Sequence, residues 1–538
     1  MLGEFLVFDR MTSQYHTGVY PRWTDQTQYL SEAYAGYQNL QAQGFWSGLA
    51  TTITHPVAQG KLHDVLAVLV FWLAGGASRS AALSLNLLAL LAWQASLFAI
   101  IPRVSGSRAL GWIGFALPLC LAWPWSVGPG SAVDFRLDHA AMCLMGVAGA
   151  FALLTDGFRS WRGSVAFGAA VGVTLLERFL TGAYFILIFA AAAVWILQGD
   201  SRLQRLRNLL LAGLTAALLA VPLLWLNWGE VWKYYWGGHI LSADGDARAP
   251  GLDLGKSVQF ILTNLGQGQL GSYFGWTVAA LTGLLLVACL AARRRVTAPD
   301  DRNGLFFALV FLLAPAAVLC LHRQKSEVVI GVIVPGVLLL LLWIWTALWH
   351  RIDFTLPRPW LRVIPALAAV ATVEAGENYF LQRQLTPPHT AQFLVEARQI
   401  NQLADYLFAA SRQAGLTRPR LGVDQVSDEL NARTMALLCF ERQKTMLPFH
   451  TVLPTSILSE KDEQIMAQLE QCDFFLLTKM KPLEGYYPYD HQMRRLYPTL
   501  KSWCEGHLRH VDTFLLLSHE VSLYQRREIP LVPATTRP

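Results

Sequence analysis

The chain has 538 residues, of which 54% are hydrophobic and 15% charged, with a mean hydropathy of +0.35 and a formal net charge of +6. Soluble domains carry about 25% charged residues, so the composition excludes an ordinary soluble enzyme and describes a chain largely solvated by lipid. The excess of Lys and Arg is no nucleic-acid signal, because it forms no stripe with interleaved aromatics and sits mainly in short turns between apolar runs.

The opening MLGEFLVFDR is too short for a cleavable signal peptide and carries Glu4 and Asp9. Residues 60–77 contain an apolar run too short for a comfortable span, which suits an interfacial or re-entrant helix. Crossing the hydrocarbon takes about 20 apolar residues. Runs that qualify are 80–101, 108–125, 139–155, 206–228, 272–292, 303–321, 327–349 and 360–376. The stretch 164–197 reads as two helices meeting at a polar break around Glu177-Arg178 and Thr181-Gly182. The predicted fold is mostly α, a polytopic transmembrane bundle of about ten spans followed by a soluble α/β domain. Its regions are 1–79, an outer loop with juxtamembrane helices; 80–376, the transmembrane helical domain; and 377–538, the soluble domain, where charge returns to soluble density.

Within the soluble domain, residues 390–413 have helical periodicity and 420–426 read as a strand. A helix over 427–443 opens on Ser427 as its N-cap, and an amphipathic helix at 459–471 leads into the apolar strand CDFFLLT. The chain closes on two strands around Ser518-His519-Glu520, which together predict a small open sheet with helices packed on it. Cys120, Cys143, Cys289 and Cys320 fall in apolar runs as small buried residues, while Cys439, Cys472 and Cys504 allow one disulfide at most.

Turn charges orient the bundle. The basic turns, with Arg103 and Arg108, Arg159 and Arg162, Arg202, Arg205 and Arg207, Arg293 to Arg295, and Arg351, Arg358 and Arg362, all fall on one side, the positive-inside pattern. The other side, outside the cytoplasm, receives residues 1–60, 126–138, 229–271, 322–326 and the soluble domain. Nothing in the sequence ahead of residues 1–60 would carry them across, so either they are pulled across as a free tail by the later spans or a further spanning helix lies upstream.

That outer side collects charge where a membrane chain has reason to avoid it. Asp25, Tyr29, Glu32 and Tyr34 recur near helical spacing in WTDQTQYLSEAY, and Asp134, Arg136 and Asp138 stand directly ahead of a span. Glu177 and Arg178 interrupt an apolar run, and His322, Arg323, Lys325 and Glu327 fill a short turn. Loop 229–256 adds Lys233, Tyr234, Tyr235, His239, Asp244, Asp246 and Arg248. Acids beside bases at one membrane face suit a reaction on an anionic lipid headgroup, in which a carboxylate accepts a proton and Arg or Lys neutralises a departing phosphate. The bland alternatives are a helix cap for Asp138, a solvated loop position for Asp25, and mutual pairing or snorkelling of Glu177 and Arg178. Intramembrane ions nevertheless make function the default reading for that pair.

The ordered series of motifs resembles the GT-C superfamily of polyprenyl-phosphate-sugar-dependent glycosyltransferases, in its protein-mannosyltransferase-like and aminoarabinose-transferase-like branch. WTDQTQYLSEAY is similar to that family's first acidic motif, and THPVAQGKLHDVLAVLVFW to its Pro-containing stretch and juxtamembrane helix. FRLDHAAMCLMGVAGAFALL is similar to the second acidic motif, LLERFLTGAYFIL to the helix break, and LHRQKSEVVIGVIVPGVLLLLL to the basic turn before a Pro-containing helix. The family's Lys at the helix break is absent, with Arg178 the nearest cation, and its Lys-Pro-Pro is replaced around His55-Pro56.

The resemblance implies Asp25 as the base that activates the acceptor and Asp138, with Asp134, as the group orienting acceptor or sugar. It implies Arg178, Arg323 and Lys325 as ligands of the lipid phosphate, with Arg136, Glu177 and His322 completing the substrate-binding set. The donor would be a polyprenyl-phosphate sugar, the acceptor a lipid, glycan or protein, the outcome inversion, and the location a bacterial inner (plasma) membrane. Membrane lipids would be the other partners, with no nucleic acid, no bound metal and no cofactor. A transporter or flippase is the main rival and would show polar residues along a path across the bilayer with repeat symmetry; a non-catalytic envelope scaffold is the third reading.

Overall fold

Apolar runs without internal charge fold as helices because, in lipid, only internal hydrogen bonds satisfy the backbone. The computed structural model describes residues 2–16, 19–21, 24–126, 128–238, 253–291, 302–322, 326–352, 389–424, 430–444, 447, 449–451, 462–479, 488–516 and 519–532. The first ten α-helices are α1 (Leu2–His16), α2 (Thr24–Gln43), α3 (Phe45–Thr54), α4 (Leu62–Leu73), α5 (Arg79–Ser105), α6 (Arg108–Ala116), α7 (Leu137–Leu153), α8 (Trp161–Glu177), α9 (Thr181–Leu197) and α10 (Arg202–Val231). Helical segments Leu254–Thr263, Asn264–Leu270 and Gly271–Ala291 follow in succession, then Arg302–Leu321, and a 3-10 stretch Glu327–Ile333 leads into Val334–Trp349.

Among the described residues five helices are long and apolar enough to cross a membrane: Arg79–Ser105, Arg202–Gly237, Leu254–Leu290, Arg302–Leu321 and Glu327–Trp349. Shorter apolar helices occupy Leu62–Leu73, Arg108–Cys120, Leu137–Leu153 and Thr181–Leu197. The difference from about ten expected spans has local causes. The predicted span 108–125 is broken after α6 into 3-10 turns Leu117–Cys120 and Trp123–Trp125, each with a proline in its first positions; proline has no N–H to continue an α-helix. The stretch 164–197 does divide at Glu177-Arg178, giving α8 and α9 of 17 residues each, about 25 Å of helix at 1.5 Å per residue. Helix also occupies much of the predicted loop 229–271, because α10 runs on as a π-helix over Trp232–Gly238 and helix resumes at Leu254. The predicted span 360–376 lies outside the described residues.

Small residues let α8 and α10 pack closely. A Cβ on Gly168 of α8 would stand 2.3 Å from the Ala212 carbonyl oxygen of α10, so the two backbones touch as small-residue faces permit in lipid. The bundle core is continuous from Phe8 on α1 to Trp345.

The C-terminal region has a five-stranded mixed sheet in the order β2-β1-β3-β5-β4, with β1 Arg420–Val423, β2 His450–Thr451, β3 Phe474–Lys479, β4 Leu508–Leu516 and β5 His519–Arg526. β1 is parallel to β2 and β3, and β3, β5 and β4 run antiparallel. Helices Ala391–Gln413, Asp462–Leu469 and the closing hairpin follow the sequence expectation. The helix expected from Ser427 starts instead at Ala432, because the Asn431 side chain caps it by accepting from the Thr434 amide. Helix Pro488–His507 has no counterpart in the sequence reading. The seven cysteines are all free thiols; Cys472 and Cys504 are buried in one core cluster without a disulfide.

The N-terminal region joins the two parts. Val19 and Tyr20 are buried in the core of the C-terminal region. On α2, the Tyr34 ring lies between Phe71 of α4 and Phe440 of the C-terminal region, with centroids 5.4 and 4.9 Å away.

Candidate active site

The N-terminal ends of α2, α7 and α9, the C-terminal end of α8 and the π-helical extension of α10 meet at one end of the bundle. Asp25 is in the first turn of α2 and bonds the Arg136 guanidinium directly. Arg136 is the N-cap residue of α7 but makes no side-chain cap bond; its Nε lies 3.8 Å from Asp134 and 3.9 Å from Asp138. On the far side of Asp138, Oδ1 meets Arg178 Nη1 at 2.5 Å. Asp25, Arg136, Asp138 and Arg178 therefore form one chain of alternating charge, with Asp134 beside it.

The two end acids differ in environment. The Asp25 side chain is 47% exposed and that of Asp138 only 5%, so Asp25 is open to an incoming group while Asp138 is committed to its guanidinium partners. Asp138 is in the first turn of α7, where a carboxylate also gains from the helix dipole. Asp134 is fully buried; its carboxylate accepts from the Gly130 amide at 2.6 Å, and its carbonyl accepts from Asn86 of α5 at 2.9 Å. These bonds fix the loop that presents Arg136.

Arg178 owes its direction to the break between α8 and α9. The segment before α4 pairs with that break: the Lys61 amide donates to the Leu176 carbonyl and the Phe179 amide to the Gln59 carbonyl, each at 2.8 Å. Gly60 lies between, and a Cβ there would stand 1.8 Å from the Glu177 carbonyl oxygen. Glu177 turns away from Arg178 to meet His63 Nδ1 of α4 at 2.8 Å, both side chains being buried. Gly60→Ala is therefore expected to displace the break. It should reduce folded yield or lower the melting temperature by several degrees, measured by size-exclusion and thermal unfolding of the purified protein. A buried clash of this kind costs on the order of 1–3 kcal/mol.

Aromatic hydroxyls line the same place. The phenols of Tyr235, Tyr29 and Tyr184 lie within electrostatic reach of Arg178. Tyr29 bonds Gln59, whose amide donates to the Tyr234 hydroxyl at 2.8 Å. Burial pushes the Tyr29 phenol well above its usual range, with Arg178 pulling it back, so Tyr29 acts as a neutral hydrogen-bonding group. Lys61 is buried 3.8 Å from Asp64. Burial lowers its ammonium from the ordinary value, opposed by Asp64 and Glu32.

Of the residues singled out in the sequence, Asp25, Asp134, Arg136, Asp138 and Arg178 come together, and Glu177 lies behind them. His322 follows the helix Arg302–Leu321 and donates its amide to the Val318 carbonyl at 2.9 Å; Arg323 and Lys325 lie outside the described residues. The stretch after that turn does approach the cluster, since Val328 and the Asp138 Cβ flank the same face of Gly130. Lys61, His63, Asp64, Gln59 and Tyr184 are not legible as site neighbours from sequence; only the intact run QGKLHD, polar ahead of an apolar helix, hints at the first four. Among the described residues no three His, Cys, Asp or Glu side chains are grouped to hold a metal ion.

No protein-family model matches the chain, and comparison with curated proteins finds no match. Solved structures do match in fold. ArnT from Cupriavidus metallidurans in its apo state is 15% identical, with 100% of this chain and 98% of that chain covered at a TM-score of 0.57. The same protein bound to undecaprenyl phosphate is 14% identical over 100% and 98%, at 0.54. The arabinofuranosyltransferase AftD from Mycobacteria is 13% identical over 98% of this chain and 39% of that one, at 0.48. The chain thus shares its overall fold with ArnT.

Proposed function

We propose that the chain is a membrane glycosyltransferase that moves a sugar from a polyprenyl-phosphate donor to a hydroxyl or amine of a lipid, glycan or protein acceptor. The observation that carries this reading is the linked series Asp25–Arg136–Asp138–Arg178 at one end of a GT-C fold. A structure of the same fold, ArnT, was solved with undecaprenyl phosphate, which supports a polyprenyl phosphate as the lipid here.

In the proposed reaction Asp25, the accessible carboxylate, takes the acceptor's proton as the acceptor atom attacks the anomeric carbon. The bond from that carbon to the phosphate oxygen breaks, and the departing polyprenyl phosphate carries the electron pair as added negative charge. Arg178, with the sequence-assigned Arg323 and Lys325, stabilises that charge; Asp138 and Arg136 hold Arg178 and Asp25 in place. Direct displacement inverts the anomeric centre. Purified protein in proteoliposomes, given radiolabelled polyprenyl-phosphate hexoses and pentoses, should release polyprenyl phosphate in step with transferred sugar. Intact donor recovered from every combination would contradict the proposal.

The orientation belongs to the same proposal. The cluster and the soluble domain lie outside the cytoplasm of a bacterial inner membrane, and the basic turns 156–162 and 198–207 lie inside, about one helix length away. Single cysteines introduced at Ser201 and Thr390 of a cysteine-free version should therefore react oppositely with a membrane-impermeant maleimide on intact spheroplasts: Thr390→Cys labelled, Ser201→Cys protected. The reverse pattern would invert the topology.

A further inference from the structure

Away from the transfer cluster, a second polar site lies where the soluble domain meets the helix bundle. Arg79 opens α5 and is buried at 6% exposure. Its Nε and Nη2 clasp the two Glu441 oxygens at 2.7 Å each, and Nη2 also donates to the Val19 carbonyl. Tyr34 of α2 donates to Glu441 as well, at 2.9 Å. The remaining guanidinium nitrogen, Nη1, is buried and has no hydrogen-bond partner among the described residues. Such an orphaned charged donor is costly unless something outside the chain satisfies it.

The Arg79 side chain lines a cavity of about 270 Å³ together with Ser78, Ser80, Asn401, Glu441, Arg442 and Lys444. Its one carboxylate, Glu441, is already saturated by Arg79 and Tyr34. Arg442 is held by Asp405, through Nε at 2.8 Å and Nη2 at 2.5 Å. Lys444 ends the helix Ala432–Gln443 in the left-handed conformation at φ 55°. Three cations thus face one lining carboxylate, with Asp405 behind them, and hydroxyl and amide groups complete a polar wall.

From these residues we infer a binding site for a phosphate group, distinct from the transfer cluster, in the cavity that Arg79 and Lys444 line. Arg79 Nη1 and the Lys444 ammonium supply charge-assisted hydrogen bonds to a phosphate oxygen, and the Ser78 and Ser80 hydroxyls supply neutral ones. The ligand is an outer-leaflet lipid headgroup or a free phosphate compound; both present the same group. The site also touches the transfer machinery mechanically, because Glu441 holds Tyr34 and about 13 Å of α2 separates Tyr34 from Asp25 at 1.5 Å per residue. The inference rests on no step of the transfer reaction.

The test uses the full chain in nanodiscs and compares the binding of radiolabelled inorganic phosphate with that of short-chain phosphatidic acid. Chloride at equal ionic strength and phosphatidylcholine of the same chain length serve as controls. Lys444→Asn removes the charge while keeping a residue that tolerates the left-handed conformation. Arg79→Lys keeps a cation for Glu441 but removes the Nη1 donor. Each is expected to weaken the binding that depends on this site about tenfold, with α-helical content unchanged in Lys444→Asn. Phosphatidic acid bound without inorganic phosphate identifies a lipid ligand; both bound identifies the phosphate group itself, and either supports the inference. Phosphate bound at the transfer cluster does not depend on Lys444, so only the loss in Lys444→Asn counts. No binding above the controls, or equal binding in the wild type and Lys444→Asn, overturns it.

Discussion

Asp25→Asn is expected to slow sugar transfer by about 10²–10⁴-fold, the range of a general base, while leaving the protein folded. Asparagine keeps the size and one acceptor oxygen but takes no proton from the attacking group. The structural cost should be small, because Asp25 is half exposed where it meets Arg136 and exposed ion pairs contribute about 0–1 kcal/mol. Initial rates with saturating donor, alongside a melting curve, check both halves. A variant that transfers at the wild-type rate would remove Asp25 from the reaction.

Arg178→Gln is expected to act on stability as well as on rate. The pair with Asp138 is buried on both sides, and removing one partner of such a pair costs about 3–5 kcal/mol, because the other charge is left without compensation. A lower melting temperature and little residual transfer should result. The double variant Asp138→Asn, Arg178→Gln removes the stranded carboxylate and should recover part of the lost stability without recovering transfer, since the proposed phosphate ligand is still missing. Transfer restored together with stability would make Arg178 purely structural.

How far the sequence speaks differs from residue to residue, for physical reasons. Asp25 is singled out by the resemblance of WTDQTQYLSEAY to an acidic motif, whereas Asp138 stands out because charge directly ahead of an apolar span is costly and therefore conspicuous. The break at Glu177-Arg178 was visible for the same reason, and α8 and α9 do separate there. What pairs with what was not visible. Glu177 beside Arg178 in sequence suggests a mutual ion pair, yet the break sends them apart, Glu177 to His63 and Arg178 to Asp138. Gly60 gave no signal at all, since its role depends on a backbone oxygen from a helix end more than a hundred positions away. In the C-terminal region, periodicity located the helix Ala391–Gln413, but the start of the next helix was set by Asn431 and not by Ser427. The partner of a capping side chain is an amide three residues on, and several polar residues in that stretch compete for the position. Tyr184 lies inside a run of apolar residues, where nothing in the pattern distinguishes a tyrosine facing Arg178 from one facing lipid.

The central claim is that the cluster around Asp138 and Arg178 receives the phosphate of a polyprenyl-phosphate donor. A cryo-EM map of the full chain in nanodiscs with saturating undecaprenyl phosphate tests it most directly. The expected result is phosphate density within hydrogen-bonding distance, about 3 Å, of the Arg178 guanidinium, with the polyprenyl chain leaving between helices toward the bilayer. Phosphate density bound elsewhere, with Arg178 still closed on Asp138 and no space beside Asp25, would contradict it.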